Sequence, residues 1–249
     1  MVIKPLRAGV VIGHYNCFLG LRLNIAAIRQ YNGPRVPILI SDDCSDGFAP
    51  TPNPNSIFGK VTALAASDPY LFLWPNVSRI GHSGGDGSSV WKGIIWAKNT
   101  GLHCFAKLSQ RFIITIPNWL QKATHQLMAT PFPLMGKACS HHGWKLRTEA
   151  MVLKTEAWYR PDVLAHLTPR PFHWAFEDVL WHDVRDRLGG KMLSWDILAD
   201  ARPHRAPGIL FREANSPREY RALAAQFKIP WDRGFSCLDS NRMKNYRLG

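Results

Sequence analysis

Long apolar runs are absent from this sequence, and acidic residues are few. No stretch of the 249 residues approaches the ~18 consecutive apolar residues that a membrane-spanning helix needs. The N-terminus also lacks an apolar segment followed by a small-residue cleavage site, which is the pattern of a secretory signal. These absences predict a cytoplasmic protein, and they leave open a peripheral position at the inner face of the membrane.

Cysteine is scarce and scattered along the chain. The five cysteines are odd in number and include no Cys-x-x-Cys pair, so neither a disulfide framework nor a zinc site is indicated. We therefore expect reduced, mostly structural thiols at Cys17, Cys44, Cys104, Cys139 and Cys237.

The shortage of acids gives the chain a strong positive charge. Thirty-one Lys and Arg residues against eighteen Asp and Glu residues leave a formal charge of +13. Such a charge favours anionic partners, such as a sugar nucleotide, an anionic glycan, acidic lipid headgroups or nucleic acid. Nucleic acid is the weakest of these, because the basic residues are not massed on one helix and no nucleic-acid-reading motif is present.

The composition otherwise fits one folded α/β domain. A chain of this length with 46% hydrophobic residues can bury a sizeable core. Residues 10–47 predict its beginning, with a strand, an amphipathic helix after Asn16, and a β-branched strand at 36–40. In such units ligands bind off the carboxyl ends of the strands. One crevice is therefore expected to contain Gly13, His14, Asp42 and Asp43.

A glycine-rich segment, GHSGGDGSS, follows a predicted third strand at residues 77–80. We predict a turn there that lets the backbone approach an anionic ligand, with Asp86 where the next helix is capped. An ordinary tight turn before a capped helix explains the pattern equally well. Further along, residues 149–154 predict a strand, and the segment that opens with Glu177 predicts a helix ended by Gly189-Gly190.

Three of these segments together resemble the GT-A glycosyltransferases of the family 2 type. The order "VVIGHYN", helix, "ILISDDCSDG" looks like the opening of that family. "WAKNTG" matches the end of the helix that follows a similar loop in the family, and "FEDVLWHDVRDRLGGK" matches its acidic pair and following helix. The resemblance covers roughly the first 190 residues. It implies a single Rossmann-like GT-A domain, with a mixed central sheet flanked by helices. Residues 1–115 would form the nucleotide-sugar-binding half, 116–215 the acceptor half, and 216–249 a C-terminal helix and basic tail.

The resemblance also implies which residues form the site. In that family the second aspartate of the Asp-Asp-x-Ser turn contacts the base of a sugar nucleotide, and the aspartate of the later acidic pair is the catalytic base. Carried over, these roles fall to Asp43 and to Asp178, with Glu177 as its neighbour. The donor-binding residues are then Gly13, His14, Tyr15, Asn16, Asp42, Asp43 and Asp86.

The sequence departs from the family where a metal should bind. The family's Asp-x-Asp motif is replaced by residues 107–111, KLSQR, which offer no carboxylate to a hard cation. We therefore expect Lys107 and Arg111 to neutralise the departing diphosphate, with no metal ligand set, although Mn²⁺ or Mg²⁺ held elsewhere stays an alternative. The paired histidines of residues 140–144 lack a third metal ligand and are expected to line the acceptor side.

The predicted function is transfer of a sugar, with inversion, from a nucleoside-diphosphate sugar to a hydroxyl of a glycan or lipid-linked glycan, in cell-envelope polysaccharide biosynthesis. One carboxylate base is enough for such a direct displacement. A non-catalytic sugar-nucleotide or glycan-binding relative is the first alternative, and a basic nucleic-acid-binding protein is the second. For single residues, simpler interpretations remain: an Asx turn at Asp42-Asp43, a helix start at Glu177-Asp178, and solvated strand ends at Lys107 and Arg111.

Overall fold

A computed structural model describes residues 6–139, 145–171, 176–195, 207–211 and 215–231. The strands are β1 (Ala8–His14), β2 (Ile38–Asp42), β3 (Leu71–Pro75), β4 (Cys104–Ser109), β5 (Phe112–Ile114), β6 (Leu134–Gly136), β7 (Ala138–Cys139), β8 (Lys145–Leu146), β9 (Ala150–Lys154), β10 (Leu193–Ser194) and β11 (Ile209–Phe211). The helices are α1 (Phe18–Asn32), α2 (Ile57–Ala66), α3 (Gly81–Asn99), α4 (Trp119–Met128), α5 (Thr155–Trp158), α6 (Pro161–His166), α7 (Phe176–Asp186) and α8 (Pro217–Gln226).

Seven of these strands form one mixed sheet. Its order is β10-β6-β9-β4-β1-β2-β3, and β9 runs antiparallel to both of its neighbours while the other six strands share one direction. The sheet takes strands from both the 1–115 and the 116–215 segments. Two short antiparallel pairs, β5 with β11 and β7 with β8, lie beside it.

Alternate residues of the central strands face opposite layers of helices. Val10 and Ile12 of β1 pack with apolar residues of α1, α2 and α4, whereas Val11 packs with those of α3 and α7. This division follows from the two-residue period of a strand, and burial on both faces explains why β1 and β2 are continuous apolar runs. The C-terminal helix α8 adds a third cluster, in which Tyr220 and Leu223 cover α1 and Ile113.

Most of the predicted elements are confirmed. The chain opens as strand, helix and strand, residues 150–154 form β9, and α7 is followed by Gly189 and Gly190, which both have positive φ. Helix α8 begins with the capping box of Ser216 and Glu219. None of the helices within the described ranges is long and apolar enough to cross a bilayer.

Three expectations are wrong. The third strand is Leu71–Pro75 rather than residues 77–80. The glycine-rich segment is not a turn, because α3 already begins at Gly81 and runs through it. Among the cysteines, Cys44 and Cys104 are free thiols as expected, but Cys17 is disulfide-bonded.

Candidate functional site

The carboxyl ends of β1, β2 and β3 lie side by side. His14, Asp42 and Pro75 are register partners at the last rungs of the three strands. The residues that follow these strands therefore converge on one edge of the sheet, as the strand–helix–strand pattern predicted.

Both carboxylate oxygens of Asp42 accept hydrogen bonds from residues at this edge. Its Oδ2 lies 2.6 Å from both His14 Nδ1 and Ser45 Oγ, and its Oδ1 accepts from Ser45 N at 2.7 Å. His14 Nε2 accepts from Cys17 N at 3.3 Å, so the proton shared with Asp42 lies on Nδ1. Burial alone would raise the pKa of Asp42, but the hydrogen bonds from His14 and Ser45 outweigh it and lower that pKa below its usual range.

Asp43 has a different environment. Its Oδ1 accepts from Asn76 Nδ2 at 2.9 Å and from Ile80 N at 3.1 Å. Asn76 is fixed in turn, since its Oδ1 accepts from Ser88 Oγ at 2.8 Å. Burial raises the pKa of Asp43 despite these hydrogen bonds. The carboxylate is thus held in one orientation by neutral donors, with Oδ2 outside these hydrogen bonds.

The loop after β1 is fixed by a side chain from the end of β4. Gln110 Oε1 accepts from Tyr15 N at 2.9 Å, and Gln110 Nε2 donates to Tyr15 O at 3.0 Å. Asn16 has a left-handed φ of 47° and accepts from Asp46 N at 2.7 Å. The Arg79 guanidinium lies over the Tyr15 ring, 4.2 Å from its centroid. Arg79 directly precedes Ile80, whose N–H donates to Asp43, so the Tyr15 ring lies on the same side of the sheet edge as that carboxylate.

The first turns of α3 fit closely against this edge because their residues are small. A Cβ added at Gly85 would lie 3.1 Å from Asp43 Oδ2, and one at Gly13 would lie 2.9 Å from Ser89 Oγ and 3.8 Å from Asp86 Oδ1. Asp86 is in the second turn of the helix, so it does not cap it, and the expected capping role is wrong. It instead faces the end of β1.

Lys107 is not a solvated strand end. Its side chain is completely buried, and its Nζ donates to Asp86 Oδ1 in an ion pair and to the carbonyl of Thr148 at 2.7 Å. Arg111 follows at the turn between β4 and β5. Its carbonyl accepts from Tyr220 of α8 at 3.0 Å, and its Nε is buried without a hydrogen-bond partner among the described residues.

The acidic pair opens α7. Phe176 is buried in the core, and Glu177 Oε1 accepts from Thr148 Oγ1 at 3.3 Å. Asp178 is the next residue of the helix and is half-buried. Through Thr148, Lys107 and Asp86, the pair is linked to the end of β1. The paired histidines of residues 140–144 and the basic residues from 232 onward lie outside the described residues.

The donor set does not fit a divalent metal. At the end of β4 stand Ser109, Gln110 and Arg111, and the nearby Asp86 carboxylate is already paired with an ammonium group. Within the described ranges no group of three His, Cys, Asp or Glu residues could hold a metal ion. Hard cations require several oxygen ligands, which this arrangement does not offer.

Several supporting residues escaped the sequence analysis. Asn76 belongs to a glycosylation sequon, which gives no hint of its contact with Asp43, and Thr148 carries no motif. Lys92 is hidden in the middle of α3, where it donates to the carbonyl of Trp74 at 2.8 Å. These contacts join residues far apart in the chain, so local pattern alone does not predict them.

Comparison with solved structures shows which known fold this chain resembles. The mannosyltransferase PcManGT from Pyrobaculum calidifontis, in complex with GDP-Man and Mn²⁺, is 14% identical with a TM-score of 0.52, over 76% of this chain and 54% of that one. The glycosyltransferase GlyE of Streptococcus pneumoniae TIGR4 is 11% identical with a TM-score of 0.53, over 98% of this chain and 64% of that one. An active-site mutant of LgtC is 9% identical with a TM-score of 0.53, over 88% and 95%.

The chain has the fold of GT-A-type glycosyltransferases. It spans only 54% and 64% of the lengths of the first two proteins. No protein-family model and no curated protein matches it by sequence.

Proposed function

We propose that the protein transfers a sugar from a nucleoside-diphosphate sugar to an acceptor hydroxyl. One observation carries this proposal: within a GT-A fold, Asp43 stands at the carboxyl end of β2 with its Oδ1 fixed by Asn76 and Ile80 and its Oδ2 outside those hydrogen bonds. The whole chain acts as one domain, in which residues 1–115 bind the donor and residues 116–215 receive the acceptor.

The two aspartates have separate tasks in this proposal. Asp43 receives a hydrogen bond from the nucleotide base, since its carboxylate is oriented in advance and binding therefore costs little ordering. Asp42 and His14 act indirectly, because their polar atoms are occupied by each other and by Ser45. They hold the turn that contains Asp43. Gly13, Tyr15 and Asn16 form the part of the donor site next to it.

Arg111 is the principal diphosphate contact. Its buried Nε lacks a hydrogen-bond partner within the described residues, and an unsatisfied buried donor is costly unless a ligand supplies an acceptor. The Lys107 ammonium is partly neutralised by Asp86 and contributes less. Together they would stabilise the charge that develops on the leaving diphosphate. The donor site therefore needs no divalent metal.

Asp178 is the base in this mechanism. The acceptor hydroxyl gives its proton to the Asp178 carboxylate as its oxygen attacks the anomeric carbon. The bond between that carbon and the diphosphate oxygen breaks, and the nucleoside diphosphate leaves with the electron pair. A single displacement of this kind inverts the anomeric centre. Glu177 positions the start of α7 beside it.

The proposed acceptor is a glycan or lipid-linked glycan of the cell envelope. The formal charge of +13 would favour an anionic acceptor or an anionic membrane surface at the cytoplasmic face.

A sugar-nucleotide-binding protein without activity is the second candidate. The observation that favours it is the ion pair of Lys107 with Asp86, which occupies the region of the absent metal motif with groups that satisfy each other. Such a protein would bind the nucleotide but would not transfer the sugar. A nucleic-acid-binding protein would instead show binding that falls steeply with salt.

Replacing Asp178 with Asn tests the enzymatic candidate. The amide is nearly the size of the carboxylate and leaves the donor site intact, but it cannot take the acceptor's proton. We expect Asp178→Asn to lower the transfer rate ~10²–10⁴-fold, the usual contribution of a general base, while nucleotide binding persists. Release of nucleoside diphosphate, measured with each donor sugar, gives the rate.

Glu177→Gln is the matched control, for which we expect a much smaller loss. If it is Glu177→Gln that inactivates the protein, the roles within the pair are reversed. If neither variant changes the rate, the pair is only a helix start.

A further inference from the structure

Four residues form a series of polar contacts between the donor edge and the acidic pair. Asp86 of α3 pairs with Lys107 of β4, the Lys107 ammonium binds the carbonyl of Thr148, and the hydroxyl of Thr148 binds Glu177 of α7. The four residues come from separate parts of the chain, so only the folded structure brings them into line. Of the four, Glu177 and Asp86 are partly exposed, whereas Lys107 and Thr148 are buried.

A buried ammonium fixes the groups around it. The side chain of Lys107 has no exposed surface, and a charge removed from water is stable only where it keeps its partners. The carbonyl of Thr148 is therefore tied to β4, and Thr148 itself is 1% exposed. The hydroxyl of Thr148, whose main chain is held in this way, donates to Glu177 of α7.

Helix α7 does not need that hydroxyl in order to dock. Phe176, Leu180 and Val184 are buried in the same apolar cluster as Val90 and Ile94 of α3, and this packing holds the helix. The contact from Thr148 reaches only the carboxylate of Glu177. Its effect falls on the orientation of the first turn, where Asp178 is the next residue, rather than on the presence of the helix.

We propose that Thr148 is a positioning residue, held by Lys107, that sets the acidic pair of α7 relative to the donor site. This inference rests on the proposed function, because positioning has a kinetic meaning only if Asp178 acts on an acceptor. It adds a residue that touches neither the reacting atoms nor the nucleotide. Fixed orientation of a catalytic group is worth a large factor in rate, and this contact supplies the orientation from the sheet.

Thr148→Val and Thr148→Ser form the matched pair of variants. Valine keeps the shape of threonine without its hydroxyl, and serine keeps the hydroxyl. We expect Thr148→Val to lower kcat ~10-fold with the donor KM within ~2-fold of the wild type, because orientation and not donor binding is lost. We expect Thr148→Ser to recover most of kcat. An unchanged kcat in Thr148→Val, or an equal loss in both variants, overturns the proposal.

A second measurement tests the contact between Thr148 and Glu177 itself, even if no transfer is detected. Urea denaturation of Thr148→Val, Glu177→Ala and the double variant should reveal coupling between the two sites, whereas a cycle of Thr148→Val with Arg185→Ala, on the exposed face of α7, should be additive. Additivity in the first cycle overturns the proposal. If the wild type neither binds a nucleoside diphosphate nor transfers a sugar, the proposed function fails, while this cycle still reports on the contact.

Discussion

Lys92 is a second buried lysine, outside the contacts made by Lys107. It lies in the middle of α3 with 2% of its surface exposed, and its ammonium has the Trp74 carbonyl as acceptor and the Trp74 ring 5.9 Å away. Burial lowers the pKa of Lys92 to about 8, although the Asp42 and Asp43 carboxylates act in the opposite direction. The charged form is therefore retained in the core at a cost.

The pH dependence of stability should expose this cost. Between pH 8 and 10.5 the folded protein has released the Lys92 proton while the unfolded chain still binds it, so stability rises with pH across that window. The shift from 10.5 to about 8 corresponds to about 3 kcal/mol in total. Relative to Lys92→Met, which cannot titrate, the wild type should gain stability over this range. The measurement is denaturation of both proteins at a series of pH values. A difference between their free energies of unfolding that stays constant from pH 7 to 10.5 would contradict the lowered pKa of Lys92.

At the scale of residues, the sequence predicts which polar groups form the site better than it predicts their hydrogen-bond partners. The Asp42-Asp43 turn is visible in the sequence, but not that one carboxylate is sealed by His14 and Ser45 while the other is held by Asn76. Likewise Lys107 is visible as a base in place of an acid, but its burial against Asp86 is not. Apart from the local Asp42–Ser45 contact, these results depend on contacts between residues 21 or more positions apart, which local pattern does not predict.

Among the elements, α3 shows why the sequence misled. Its first ten residues contain four glycines and three serines, which individually disfavour a helix interior. The tertiary contacts override that preference, because only small residues allow α3 to approach Asp43, Gly13 and the carbonyl of Arg170 so closely. The sequence also places the third strand wrongly. Proline argues against a strand in general, but Pro75 is acceptable because β3 lies at the edge of the sheet.

Gly85→Ala tests the role of this close approach. Alanine should favour the helix by up to ~1 kcal/mol, but its Cβ would lie 3.1 Å from Asp43 Oδ2, and Asp43 is restrained by Asn76 and Ile80. We expect weaker binding of nucleoside diphosphate, measured by calorimetry, with little loss of thermal stability. Ser83→Ala in the same helix is the control and should bind normally. Equal affinities for Gly85→Ala and Ser83→Ala would show that the Asp43 side chain can move away from the added Cβ without loss of nucleotide binding, which would contradict this prediction.

At the scale of the molecule, the βαβ opening is more predictable than the order of the whole sheet. That opening, with β1 and β2 parallel, follows from hydrophobic periodicity. The second half depends on β9 running antiparallel between β4 and β6, and on α8 returning to α1. Long-range pairing of this kind leaves no local mark in the sequence.

Thermal denaturation with UDP and with GDP, in excess EDTA, tests the central claim most directly. A ligand that binds only the folded state stabilises it, and ~1 mM nucleotide against a Kd of ~10 μM would contribute ~2.7 kcal/mol. We predict that at least one of the two raises Tm by several degrees, that Asp43→Ala removes the shift, and that Asp46→Ala, an exposed carboxylate of the same turn, preserves it. No shift with either nucleotide, an equal shift in Asp43→Ala, or a shift that appears only when Mn²⁺ or Mg²⁺ is added would contradict a metal-free donor site built on Asp43.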